Sequence, residues 1–174
     1  MVRLALALSI LSILALLPAT AAAKPQVCDA DVIQQALIDA GKLTAEDVGF
    51  GTVVDLVRCG DVTADGDTDA LFTVASGGTA GDTHFGVLRG AADGSPSALA
   101  LYRDGYKIGI ARRNRRSFAV LQPHYAKNDA NCCPSSYRLR RYTWTGKRFK
   151  AGAVKKRKTA PRRFYRASGS RSAQ

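Results

Sequence analysis

Scarcity excludes several functions for this 174-residue chain before any motif is weighed. There are two histidines, His84 and His124, and neither stands in an H-E-x-x-H pair or beside a Gly-flanked serine elbow. Zincin-type and α/β-hydrolase chemistry therefore have no motif to rest on. The stretch "SGGTAGD" could cradle an anion with backbone amides, but the lysine of a phosphate-binding P-loop is missing, and it reads as a flexible connection between strands. No internal repeat is evident. After residue 23 no apolar run approaches the roughly 20 residues that a membrane span takes. Acidic residues are scarce from Arg103 onward, where only Asp104 and Asp129 accompany 21 of the 26 Lys and Arg.

What is present begins with an export signal. "MVR" supplies a positive charge, "LALALSILSILALL" an apolar run, and Ala21 and Ala23 the small-residue pattern of a peptidase site. Residues 1–23 are expected to be a signal peptide, which leaves enough chain for one domain with a core but too little for two. Cys28 follows "KPQV", which does not fit a lipidation box. A secreted or envelope-associated monomer is the expectation.

Four cysteines, Cys28, Cys59, Cys132 and Cys133, make an even set, which in an oxidising compartment favours two disulfides. Pairing the neighbours Cys132 and Cys133 would put a disulfide between α-carbons only about 3.8 Å apart, against the usual 4.4–6.8 Å or so. If "NCCPSSYRLRRYTW" enters a strand, adjacent side chains point to opposite faces. One of the two is then expected to reach Cys28 and the other Cys59.

"CDADVIQQALIDAGK" has the spacing of a helix, with Asp29 or Asp31 as cap, an apolar stripe through Ile33 and Leu37, and Gly41 as stop. From residue 51 short apolar runs punctuated by Gly, Pro, Asn and Asp read as seven strands, the last being "YRLRRYTW". "RDG" after Tyr102 and "TG" before Lys147 read as hairpin turns. The fold class expected is α+β: an N-terminal helix packed on a curled, mostly antiparallel β-meander stabilised by disulfides. That domain is expected over residues 24–154. Residues 155–174, "KKRKTAPRRFYRASGSRSAQ", are basic and poor in aliphatics and are expected to form a disordered tail, with Phe164 and Tyr165 as sticky points.

In "DVTADGDTD", Asp61, Thr63, Asp65, Asp67 and Asp69 occupy alternate positions with Gly66 at the bend. Oxygen ligands at odd positions of a tight loop suit a hard cation such as calcium. Phe72 stands where an EF-hand needs its bidentate glutamate, and strand-like segments flank the loop, so it is not an EF-hand. Two readings stand side by side: a calcium loop, or an acidic turn whose Asp and Thr side chains bond their own backbone. The segment "GDVTADGDTDALF" resembles the calcium-holding loop of FG-GAP and VCBS-type extracellular repeats. One copy implies no propeller.

The leader, "CDADVIQQAL", "DALFTVASGG" and "DANCCPSSYRLRRYTWTGKRF" together are similar to the LppP/LprE-type group of exported envelope proteins. That resemblance implies one small cysteine-containing domain with no established activity. The missing lipidation cysteine departs from the group's lipoproteins.

The basic residues Arg112, Arg113, Arg115 and Arg116 of "ARRNRRS" read as a charged hairpin tip. With Lys155, Lys156, Arg157, Lys158, Arg162 and Arg163 they are candidates for holding an anionic cell-wall polymer or membrane surface, by contacts that salt would weaken. "YRLRRYTWTGKRF" interleaves cations with aromatics as a single-stranded nucleic-acid face does, but the export signal argues against that partner. Two functional readings follow. The first is a non-catalytic envelope protein that binds an anionic component, with no catalytic residue assigned; the second is a secreted enzyme or enzyme inhibitor using a loop such as "GGTAGDTH".

Overall fold

The computed structural model describes residues 24–166; the expected signal peptide, 1–23, lies outside them. A 3-10 turn, Gln26–Cys28, leads into helix α1, Ala30–Asp39. Asp29 is its cap, accepting hydrogen bonds from the Asp31 and Val32 amides, and Ile33 and Leu37 are its buried stripe. A second short helix, α2 (Ala45–Gly49), starts on a capping box in which Thr44 and Asp47 satisfy each other's free amides.

Eight strands follow among the described residues: β1 Val53–Cys59, β2 Ala70–Ala75, β3 Asp82–Gly90, β4 Pro96–Asp104, β5 Gly109–Asn114, β6 Ser117–His124, β7 Ser136–Trp144 and β8 Phe149–Arg157. They form two antiparallel sheets, β1-β2-β3-β4 and β5-β6-β7-β8. The domain is mostly β, with little helix.

Alternation along the strands distributes the core into layers. Leu71, Phe85, Val87 and Leu101 of the first sheet meet Ile110, Phe118, Val120 and Tyr142 of the second. The opposite face of the first sheet gives Phe72, Val74 and Leu88 to Ile33 and Leu37 of α1. Strand β2 lies between both layers and is consequently buried on both faces.

The single meander expected from the sequence becomes two, because "RDG" is not a hairpin turn. Strand β4 pairs only with β3, and β5 only with β6, so residues 105–108 cross from one sheet to the other. The crossing is fixed by hydrogen bonds from the Gly105, Lys107 and Ile108 amides to the carbonyls of Thr83, Ala80 and Asp82. "TG" does turn a hairpin, between β7 and β8, with the Thr145 amide bonded to the Arg148 carbonyl.

The disulfide pairing also departs from expectation. Cys28 bonds Cys59, with α-carbons 5.8 Å apart, and Cys132 bonds its neighbour Cys133. Residues 132 and 133 precede β7 rather than lying in it, in the β6–β7 connection of the second sheet. The strand alternation that would have aimed them at Cys28 and Cys59 is absent there.

Of the tail expected from Lys155 onward, residues 155–166 are ordered, and residues 167–174 lie outside the described residues. Strand β8 runs to Arg157, and a 3-10 turn, Arg162–Phe164, lays Phe164 against Ala111, Ala119 and Leu121 on the outer face of the second sheet. Approach is close enough that a Cβ at Gly109 would lie 2.8 Å from Phe164 and Tyr165. Arg58 of β1 reaches across to the carbonyls of Ile110, Arg163 and Arg166, and the Tyr165 hydroxyl donates to the Lys107 carbonyl. One buried aromatic ring and one arginine thus order a segment whose composition alone gives no reason to fold.

Candidate functional site

Two features of this framework carry chemistry: the acidic β1–β2 loop and the basic second sheet. The loop from Gly60 to Asp69 leaves β1 and re-enters the sheet at β2, with Ala64 and Gly66 both at positive φ, 58° and 101°. Gly66 supplies the bend that its place in the sequence suggested. Inside the turn, Asp69 is fully buried. Its Oδ2 accepts from the amides of Val62 (2.8 Å) and Thr63 (3.0 Å) and from the Thr63 hydroxyl (2.9 Å). Asp61 accepts from the Ala64 and Gly66 amides, and Asp65 from the Asp67 amide.

These bonds bring Asp61, Asp65 and Asp69 together, so that one carboxylate oxygen from each lies within 4.8 Å of the others. A cluster of this kind could hold a metal ion. Of the five loop residues singled out in the sequence, Thr63 is tied to Asp69 through its hydroxyl, and Asp67 contributes its amide rather than its carboxylate to the cluster.

Two arginines from other strands also enter the site. Arg115, at the β5–β6 tip, puts Nε and Nη2 at 3.0 and 2.8 Å from Asp61 Oδ2, and Arg89 of β3 puts Nη2 at 2.6 Å from Asp65 Oδ2. Burial opposes ionisation of Asp61, but the Arg115 hydrogen bonds and the loop amides outweigh it and hold the carboxyl below its usual range. Asp65 behaves alike: burial is overcome chiefly by Arg89. Burial wins at Asp69, whose carboxyl is pushed up despite its hydrogen bonds. Three carboxylates thus face two guanidinium groups: the loop bonds its own backbone, as the acidic-turn reading has it, and also pairs with arginines that neither reading included. The arginines were not legible in the sequence, because they lie 24 and 54 residues from the aspartates they meet.

The second sheet separates its cations by face. On the outer face Arg113, Arg141, Lys155, Arg157 and Arg163 surround a cavity of about 360 Å³, floored by Ala119, Leu139 and Phe164. No acidic residue lines it, and none of the five cations forms an ion pair among the described residues. Four of these were candidates from the sequence, and Arg141 joins them because it alternates with Arg140 across β7. The other candidates go elsewhere. Arg115 binds Asp61, Arg112 donates to the Asp61 carbonyl at 3.1 Å, Arg116 stays at the β5–β6 tip, Lys156 pairs in register with Arg138, Lys158 follows β8, and Arg162 begins the final turn.

The histidines offer less. His84 has Thr83 Oγ1 3.1 Å from Nδ1, stacks on Tyr102, and lies 3.5 Å from Asp104, a carboxylate 91% exposed. A carboxylate so well solvated orients an imidazole weakly. His124 ends β6 opposite Ser136. No protein family, curated protein or solved structure matches this chain. Among the described residues no helix is long and apolar enough to cross a membrane.

Proposed function

We propose that the chain is a non-catalytic, extracytoplasmic binding domain that holds an anionic envelope component on the outer face of its second sheet, and that the Asp61–Asp69 loop takes calcium. One observation carries the binding role: Arg113, Arg141, Lys155, Arg157 and Arg163 converge on one cavity with no acidic residue in its lining. Like charges brought together repel one another, so such a group is stabilised by an external anion. The apolar floor lowers the local dielectric and strengthens each contact. The export signal and the resemblance to the LppP/LprE-type group support an envelope setting.

Calcium is the metal proposed because the cluster offers only hard oxygen donors. Its role is structural, drawing together residues of the β1–β2 loop.

The binding reading is tested by retention of the oxidised protein on an immobilised anionic polymer over a salt gradient. Arg113→Ala/Arg157→Ala/Arg163→Ala should elute at markedly lower salt than the wild type. Retention indifferent to salt, or unchanged in the triple variant, rejects it.

A further inference from the structure

The outer cavity has a counterpart on the reverse of the same two strands. Register fixes the faces: Arg140 of β7 pairs with Val120, which points toward the first sheet, and with Val154 of β8. Arg141, one residue on, lines the outer cavity with Lys155 and Arg157. On the inner side Arg103 of β4 joins Arg140, Arg148 and Lys150 around a cleft of about 610 Å³ whose floor includes Tyr142 and Phe149. One acid, Asp104, stands among these four cations, largely exposed and 3.5 Å from the His84 ring. Arg138 and Lys156 form a cross-strand pair in phase with Arg140 and extend the inner row.

Between the two rows runs the free edge of the sheet. Among the described residues strand β8 pairs with β7 alone, and every residue from Lys150 to Arg157 is exposed. The β7–β8 hairpin is therefore a blade, cationic on both faces and open along its outer side.

We infer, building on the proposed anion-binding role, that the partner is a flexible linear polyanion that bends over the β8 edge and occupies both faces at once. A flat anionic surface such as a bilayer can lie against one face of a blade but not both. A chain can fold over it. The contour from one cationic row to the other around a single strand is roughly 15–20 Å, given strand and side-chain dimensions. A polymer longer than that gains from holding both rows, because the second contact becomes intramolecular. An anion too short to reach round gains nothing.

Long-chain inorganic polyphosphate, tripolyphosphate and phosphatidylglycerol vesicles serve as probes, with binding of the oxidised protein compared at equal phosphate. The wild type should bind the long chain at least about tenfold more tightly per phosphate than tripolyphosphate, within the range expected for two linked contacts. Two variants separate the faces: Arg113→Ala/Lys155→Ala/Arg157→Ala outside and Arg103→Ala/Arg140→Ala/Arg148→Ala inside. All six side chains are exposed, and a thermal melt of each variant serves as the check on folding. Each should lose the chain-length advantage and fall to the tripolyphosphate level. Equal binding of short and long chains, an advantage that survives loss of either face, or vesicle binding that needs both faces would overturn the inference. If short and long chains bind equally but in a salt-dependent way, only the two-faced partner falls. If no probe binds in a salt-dependent way, the anion-binding role falls with it.

Discussion

Replacing Asp69 by alanine removes the hub of the β1–β2 loop. Its carboxylate accepts from Val62 N at 2.8 Å, Thr63 N at 3.0 Å, Thr63 Oγ1 at 2.9 Å and, more weakly, Gly90 N at 3.4 Å. Val62 and Thr63 are both buried, so the amides that lose their acceptor have no direct route to water. Each hydrogen bond to a charged group contributes about 1.5–3 kcal/mol, and each orphaned donor costs about 1–3 kcal/mol. Two effects offset part of this. Burial already disfavours the ionised form of Asp69, and the Thr63 hydroxyl can turn to another acceptor. A net loss of about 3–5 kcal/mol is expected, a large share of the roughly 5–15 kcal/mol typical of a whole domain. Urea unfolding followed by circular dichroism measures it. Asp67→Ala is the control, because the Asp67 carboxylate accepts no hydrogen bond among the described residues, and its effect should stay within about 0.5 kcal/mol. A loss at Asp69 below about 1 kcal/mol, or no larger than at Asp67, would refute the account of the loop.

Three further outcomes follow from the structure. Burial, aided by the neighbouring Asp55 carboxylate, pushes the Asp82 carboxyl up from 3.8 to about 6 while Thr73 donates to it at 2.9 Å. The folded chain therefore keeps a proton that the unfolded chain has released, so this group's contribution to stability is lost as pH rises from about 3.8 through about 6. Asp82→Asn should raise the melting temperature at pH 7 and flatten its pH dependence across that window; parallel curves for variant and wild type would contradict this. Cys28→Ser/Cys59→Ser opens a loop with a sequence separation of 31 and should cost about 3–4 kcal/mol by loop entropy, whereas Cys132→Ser/Cys133→Ser opens no long loop and should cost much less. Chemical denaturation of the two double variants compares them directly, and equal losses would contradict the pairing. Calcium titration calorimetry should show saturable binding that Asp65→Ala abolishes; absence of heat from the wild type would leave the loop held by its backbone and the two arginines alone.

Much of the fold was legible because local and tertiary demands agreed. Asp29 caps α1 and Ile33 and Leu37 bury its stripe as their spacing requires, and seven strand segments lie where alternation and punctuation put them. The eighth, β8, was hidden because it is an edge strand with one buried residue, Phe149, and so shows no apolar alternation. Nor does composition reveal that Phe164 finds a hydrophobic seat, or that Arg58 binds the carbonyls of Arg163 and Arg166 across the domain. The crossover at residues 105–108 looks like a hairpin locally, and only the pairing of β4 with β3 and of β5 with β6 tells the two apart. At the candidate sites, alternate aspartates with a bend glycine foretold the carboxylate cluster, since that geometry is local. Its arginine partners depend on long-range packing. The same holds for the sorting of the basic residues, which strand parity assigns to two faces once β7 and β8 are seen to pair.

The anion-binding role of the second sheet is tested most directly by the salt dependence of polyanion affinity, measured on wild type and on Arg113→Ala/Arg157→Ala/Arg163→Ala. Affinity should fall steeply as salt rises, with a slope that becomes shallower in the variant as phosphate contacts are lost. A wild-type affinity that does not change with salt, or a slope identical in the two proteins, would contradict it.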